Sequence, residues 1–437
     1  NFGPRLGFAS TIDRDATTVI RGSYGILYQP NFEMMEGNLG WSATTSFSDP
    51  SAVGPGFYLS QGPKTILQPP GNSLGPRGFL GQGVTTRFTS DRVGYSQQWS
   101  LSLQRSLSAA WMLEAAYVGN KGTKLGVGGL NYNVNQLHSQ YLSLGLALQE
   151  QVANPFYAVG AFGSTVTRRQ LLSPYPAYSS VQVNAPHLGS SIYHRVQFTA
   201  SRRFVGGYSL FATYTAQKLI DDIGLTSINW AAGTSGVSFS VPSLAQNYYN
   251  RRAERSVNPS DVSQRLTVSS VVEFPFGRGR RWLKQGVGAW ALGGWQLSTS
   301  CAAATGRPLM IRGAANNAAD RPNSNGRSAS LTGGEPSRYR WFDTSAFTAP
   351  PLYTYGNVGR TLPDVRGPGL VQLNLGLHRE IPIKERFRLQ LRGEAFNLAN
   401  RVNLGMPDMN FLSSGFGRIA RTATPPRSIQ IGAKVVF

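Results

Sequence analysis

Apolar residues recur at every second position in segment after segment of this chain. That period commits it to strands with one apolar and one polar face. Val371, Leu373, Leu375 and Leu377 alternate with Gln372, Asn374, Gly376 and His378. Phe387, Leu389, Leu391 and Ala395 oppose Arg386, Arg388, Gln390, Arg392 and Glu394. Tyr208, Leu210, Ala212, Tyr214 and Ala216 share a face opposite Ser209, Thr213, Thr215 and Gln217, with Phe211 as the exception. Ile429, Ile431, Ala433, Val435 and Phe437 repeat the pattern at the end, and 195–201 and 265–274 carry it too. No apolar run approaches the roughly 20 residues that a spanning helix needs.

An apolar strand face can meet a soluble core or lipid, and the connections discriminate between them. The pattern predicts strands near 2–11, 17–28, 94–106, 109–120, 191–204, 207–218, 264–274, 289–301, 369–380, 384–398 and 427–437. Connections at 13–16, 107–108, 205–206, 275–288 and 381–383 are short or fairly short; those at 29–93, 121–190, 219–263, 302–368 and 399–426 are long. Strict alternation is the habit of an outer-membrane barrel, with short periplasmic turns and long extracellular loops. A soluble sandwich has no reason to gather every long loop at one end, and loops beyond roughly 15 residues are uncommon in compact domains. The predicted fold is therefore all-β, an antiparallel transmembrane β-barrel. About eleven strands is an odd number, whereas bacterial single-chain barrels close with an even one. Open edges in lipid leave backbone groups unpaired at several kcal/mol each. The strands thus fit the last half of a 22-stranded plugged barrel, with 1–437 as one stretch of it.

Composition narrows the function. Gly supplies 50 of 437 residues, and charged residues are 14%. The lone Cys301 excludes a disulfide framework and a Cys-based metal site, and His138, His187, His194 and His378 have no ligand spacing. No nucleophile–base–orienter set emerges, so no catalytic residue, metal or cofactor is expected. The formal charge of +21 would suit nucleic-acid binding by a soluble basic sandwich. The basic residues are instead scattered, apart from a cluster at Arg278, Arg280, Arg281 and Lys284, and solvated faces or lipid phosphates account for them without nucleic acid. Phe276-Gly-Arg-Gly-Arg-Arg281 lacks the Lys-Ser/Thr ending of a phosphate loop and reads as a periplasmic turn. The chain begins with Asn1 and carries no apolar leader, and an exported protein would need one upstream.

Family-like stretches run from end to end. They include Asn1-Phe-Gly-Pro-Arg-Leu-Gly-Phe8, Arg21-Gly-Ser-Tyr-Gly-Ile-Leu-Tyr28, Gln98-Trp-Ser-Leu-Ser-Leu-Gln-Arg105 and Glu114-Ala-Ala-Tyr-Val-Gly-Asn-Lys-Gly-Thr123. Further on come Tyr214-Thr-Ala-Gln-Lys-Leu-Ile-Asp-Asp222, Phe274-Pro-Phe-Gly-Arg-Gly-Arg280, Leu292-Gly-Gly-Trp-Gln-Leu297 and Thr305-Gly-Arg-Pro308. Gly356-Asn-Val-Gly-Arg360, Arg366-Gly-Pro-Gly369 and Glu394-Ala-Phe-Asn-Leu-Ala-Asn400 complete the series. In this order they resemble the C-terminal barrel region of Oar-like TonB-dependent receptors of the acidobacterial type. The resemblance implies a signal peptide, a small β-sandwich domain, a plug and earlier strands upstream. It also implies TonB as the energising partner, acting through that upstream region, and a large substrate (oligosaccharide, peptide or protein). A surface-exposed structural or adhesion barrel is the alternative.

Individual residues carry further expectations. Phe437, with Val435 and Ala433 behind it on one face, has the form of the terminal signal read by the barrel-assembly machinery. Arg195, Arg265, Arg386, Arg388, Arg392 and Glu394 fall on polar faces, and Arg203, Glu114 and Glu273 join them. They should look into the lumen, since a charge facing lipid costs about 2–4 kcal/mol at the midplane. Pairing with one another or with the plug is the plain role for them; an anionic path is the sharper one. Tyr24, Tyr28, Trp99, Trp111, Tyr117, Tyr208, Tyr214, Trp295 and Phe437 read as interfacial girdle residues against outer-membrane lipid and lipopolysaccharide. Asp13 and Asp15, and Asp221 and Asp222, read as turn or solvated carboxylates rather than a calcium site.

Overall fold

The computed structural model describes all residues except 1, 30–39, 42, 48–53, 55, 63–64, 89–91, 128–131, 158–161, 184–185, 224–226, 230–237, 241–244, 314–319 and 385–386. Among the described residues the main sheet has twelve strands, eleven of them in one continuous path that follows chain order. The path runs β1 Arg5–Thr11, β2 Thr18–Tyr28, β3 Tyr95–Ser106, β4 Trp111–Gly126, β5 His187–Val205, β6 Tyr208–Asp221, β7 Gln264–Glu273, β8 Trp295–Ala304, β9 Leu370–Lys384, β10 Phe387–Phe396 and β11 Ser428–Val436. Every neighbouring pair is antiparallel. The twelfth strand, Ser256–Val257, pairs beside the end of β6. β1 and β11 are each paired on one side only among the described residues.

Register separates the two faces, because residues directly opposite on adjacent strands share a face. One row across the sheet reads Ile20, Leu103, Ala115, Phe198, Tyr214, Leu266, Ala303, Val371. The row one residue along reads Val19, Gln104, Glu114, Thr199, Thr213, Thr267, Ala302, Gln372 and points the other way. The apolar face is bare: Leu101, Leu103, Leu113, Phe198, Leu266, Ile429 and Ile431 are all exposed. Among the described residues, every fully buried apolar side chain lies instead in a long connection, from Val127 to Val183, from Leu309 to Val365, and at Met409 and Ile419. The sheet therefore has no second layer there, and its apolar face is left for a surrounding apolar medium.

Glycines let large rings lie flat on that face. A Cβ on Gly22 would collide with the Phe8 ring, and one on Gly119 with the Trp99 indole. Turns differ in device. The β5–β6 connection is Gly206-Gly207, both at positive φ (63° and 86°), which only glycine adopts without strain. In the β1–β2 turn Asp13 accepts hydrogen bonds from Thr17 Oγ1 and from the Thr18 backbone N–H (2.9 Å).

Three expectations need correction. The strand expected over 289–301 starts only at Trp295; residues Gly286–Leu292 form a short helix, α1. The run Gly-Val-Gly-Ala-Trp-Ala-Leu is apolar throughout, so it has no polar alternate to hold a strand, and Gly294 (φ 73°) breaks the chain before β8. The turn expected at 381–383 is strand instead, because Ile381 and Pro382 stay paired with Leu389 and Arg388. β4 and β5 run beyond 120 and 191 as a paired extension past the apolar band, where His187 lies opposite Gly126.

Candidate functional site: a stitched loop cap above a charged sheet face

The five long connections all leave the same end of the sheet, and they pack on one another. Leu309, Ile311, Phe342, Phe347, Val358 and Leu362 of the β8–β9 loop form one core with Met409 of the β10–β11 loop. Phe416 of the latter sits edge-on to Phe342, ring centroids 5.2 Å apart. Leu137 and Leu148 of the β4–β5 loop bury with Tyr353 of the β8–β9 loop.

Ion pairs tie this cap to the strand ends. Arg360 pairs with Asp221 at the end of β6 and also donates to the Asp221 carbonyl (2.8 Å) and to Ser256 Oγ (3.2 Å). Arg366 Nη2 donates to Asp261 Oδ2 at 2.8 Å, while the other carboxylate oxygen of Asp261 accepts from the Leu219 N–H (2.8 Å). Arg321 pairs with Glu254. The carboxylates are buried: Asp221 is 3% exposed, Glu254 5% and Asp261 1%. The solvated role expected for Asp221 and Asp222 is thus corrected. Asp222 accepts from the Ser190 N–H (2.6 Å) and faces Arg251 at 3.6 Å. Three arginines of one loop were missed as functional residues. Two of them close or open motifs visible in the sequence, Gly356-Asn-Val-Gly-Arg360 and Arg366-Gly-Pro-Gly369, and a charged end to a glycine motif is the signal that could have found them.

Within the cap, a cleft of about 400 Å³ is lined by amides and hydroxyls, among them Asn133, Gln136, Gln170, Gln182 and Tyr248, with Arg169 beside them. Gln136 is fixed by accepting from the Tyr248 N–H (2.8 Å) and donating to the Gln246 carbonyl (3.0 Å). Gln182 Oε1 is buried without a partner among the described residues. Burial pushes the Tyr248 phenol up to about 12, so it stays neutral. Such a surface matches a hydroxyl- or amide-rich solute better than an apolar one.

Below the cap, the polar sheet face carries the charges. Arg195 (opposite Gln217), Arg265 (opposite Thr215), Arg388, Arg392 and Glu394 all lie on the face of the Gln104–Glu114–Thr199 row. Arg203 falls where the β5–β6 register shifts, between Arg202 and Val205, and Phe211, opposite Ser201 and Ser269, is the apolar exception. Arg386 lies outside the described residues. The structure does not gather these charges into one cluster. Arg388 faces Glu380 at 3.2 Å, Glu394 accepts from Gln430, and Arg392 donates to Gln390 at 3.4 Å. Arg195 and Arg265 have no carboxylate partner among the described residues.

Aromatic side chains mark two levels on the opposite, bare face. At the loop end, Trp99, Tyr117 and His194 touch across three strands, with Tyr117 Oη 2.8 Å from His194 Nδ1. At the short-turn end the Arg202 guanidinium lies 3.4 Å from the Tyr208 ring centroid and 5.9 Å from that of Trp111. From Arg202 to His194 is about 27 Å of strand at ~3.4 Å per residue. A tilt of roughly 40° reduces that to about 20 Å of height, close to the ~25 Å apolar band of outer-membrane barrels. Tyr214, expected at a strand end, instead sits mid-face opposite Phe198 and Leu266. At the terminus, Phe437 is 91% exposed beside Phe387, while Val435 and Ala433 lie opposite Leu389 and Leu391 on the apolar face.

A bare apolar face with a wet face behind it is the signature of a membrane barrel wall, and a family comparison agrees. The model of the outer membrane beta barrel domain matches residues 1–430. The chain belongs to this outer-membrane β-barrel family. Its place is accordingly the bacterial outer membrane. Among solved structures it is similar to the outer membrane transporter YddB from Escherichia coli (TM-score 0.47, 8% identity, all of this chain and 40% of that one). It is also similar to the ferripyoverdine receptor of the outer membrane of Pseudomonas aeruginosa (0.40, 10%, 99% and 32%) and to the FrpB iron transporter from Neisseria meningitidis (0.40, 9%, 99% and 39%). The chain therefore spans between about a third and two fifths of each of these. No curated protein matches it.

Proposed function

We propose that this chain is the C-terminal part of an Oar-like TonB-dependent transporter and that its loop cap captures a large polar solute for passage across the outer membrane. The observation that carries the reading is the one-sided cap. Five long connections stand over the end of a sheet whose inner face is charged and wet; buried ion pairs tie the β8–β9 loop to the end of β6 and to the β6–β7 loop, and the β4–β5 and β6–β7 loops line a polar cleft. Arg195, Arg265, Arg388, Arg392 and Glu394 then face the lumen, toward water and a plug. The unpaired edges of β1 and β11 cannot stand in lipid, so further strands complete the barrel. The short turns are periplasmic, and Phe437 ends there as the segment engaged by the assembly machinery. TonB acts through a plug-bearing region outside this chain, and the protein needs no catalytic chemistry of its own.

The test is solute depletion. Cells lacking the gene, cells lacking TonB and wild-type cells are grown on a mixture of oligosaccharides and peptides, and the spent medium is compared. Transport predicts that one solute class persists in both mutants. If both mutants clear the mixture like wild type while the gene deletion abolishes surface attachment, the adhesion reading replaces it.

A further inference from the structure

Among the described residues, the β7–β8 connection is the one short-side turn that carries a helix, and neither the barrel wall nor solute capture accounts for it. Its apolar side chains are unburied: Trp282 is 52% exposed, Val287 81% and Trp290 66%. Leu283 and Leu292 are exposed beside them. Water alone gives such a turn no reason to hold five large apolar groups outward. The same connection, 274–294, contains Arg278, Arg280, Arg281 and Lys284 and no Asp or Glu. Arg280 is committed to Glu273. Arg278, Arg281 and Lys284 are exposed and have no carboxylate partner among the described residues.

Contacts fix where α1 lies. Arg379 of β9 stands opposite Trp295 and, two residues from Leu377 and from Ile381, belongs to the bare apolar face. It donates to the Trp290 and Ala291 carbonyls at the C-terminal end of α1, and the Trp295 indole N–H donates to the Ala291 carbonyl as well (2.9 Å). Its guanidinium lies 5.4 Å from the Trp290 ring centroid and 5.8 Å from that of Trp295. The helix is thus strapped over the lipid side of the sheet at the short-turn end, continuous with the apolar band, with cations at its rim.

We infer that the β7–β8 hairpin is a binding surface for anionic phospholipid of the periplasmic leaflet, with α1 and Trp282 in the acyl–headgroup boundary and Arg278, Arg281 and Lys284 on the phosphates. Amphipathic insertion combined with basic anchoring is the usual physical basis of such a surface. The leaflet assignment rests on the orientation proposed above. The assay uses protein extracted from outer membranes in mild detergent and titrated with cardiolipin, phosphatidylcholine or lipopolysaccharide, with native mass spectrometry reading the bound lipid. Wild type should retain cardiolipin over phosphatidylcholine. R278E/R281E/K284E should lose at least about tenfold in cardiolipin occupancy, since each basic group near an anionic lipid surface is worth about 1 kcal/mol. W290S, which keeps every charge, should weaken both lipids; heat-modifiable gel migration reports that each barrel is folded. Unchanged cardiolipin occupancy in the charge-reversed protein overturns the site. Preferential lipopolysaccharide binding that the same charge reversal abolishes overturns the orientation instead, so the two failures are distinct. Capture of a periplasmic protein with no lipid preference also overturns the proposal.

Discussion

Gly119 is covered, on its open side, by the Trp99 indole, whose N–H points to Tyr117 Oη at 3.4 Å. Gly119→Ala should displace that ring and unlink the Trp99–Tyr117–His194 set, for a loss of roughly 1–3 kcal/mol, as overpacking generally gives. Urea unfolding of the refolded protein in micelles, followed by tryptophan emission, measures it; a midpoint equal to wild type would show the ring to be free to move. Asp13 makes a prediction in pH. The Thr17 hydroxyl, and then the Thr18 backbone N–H, hold its carboxyl down at about 2. A folded value below the ordinary carboxylate value of 3.8 means that the turn's stabilisation is present above pH 3.8 and fades as pH falls through about 2. Acid unfolding of Asp13→Asn should accordingly be flatter than wild type over that window, with little difference in slope near neutrality.

The β8–β9 loop behaves as an element in its own right, with a core around Phe342 and arginine ties to the end of β6 and to the β6–β7 connection. Removing one partner of a buried pair strands the other charge, at about 3–5 kcal/mol. Arg360→Ala, which leaves Asp221 buried and unpaired, should therefore raise hydrogen exchange through 305–369 while the strand amides of β6 to β9 stay protected. Uniform exchange in both regions would mean that cap and wall unfold together. Legibility differed between elements. Strands such as β9, where apolar and polar residues alternate without a break from Val371 to His378, could be read directly from period two. The helix α1 could not, because Val287, Ala289, Trp290, Ala291 and Leu292 offer no polar partner by which period two and period 3.6 can be told apart.

For the whole molecule, orientation is the property on which both functional readings depend. With Cys301 replaced by Ser, a cysteine at exposed Thr332 in the β8–β9 loop should react with an impermeant maleimide on intact cells. One at exposed Lys284 should react only after the outer membrane is permeabilised. The reverse pattern would invert the barrel. Deleting Phe437 should lower the amount of heat-modifiable, assembled protein several-fold without changing its synthesis. An unchanged level would mean that the terminal aromatic is only an edge residue beside Phe387.

The alternation of side chains determined by itself which residues share each face of the wall, and the spacing of the strands at which end the chain spends its length. Backbone geometry ties those outcomes to a period of two, and no distant contact is needed to set them. What holds the cap could not be read that way. Arg360 lies 139 positions from Asp221, and Arg366 105 from Asp261, and only tertiary packing brings those charges together. Arg379 shows the same limit on the outer face, since a lone cation amid leucines gains its carbonyl partners only when the α1 hairpin folds back over it.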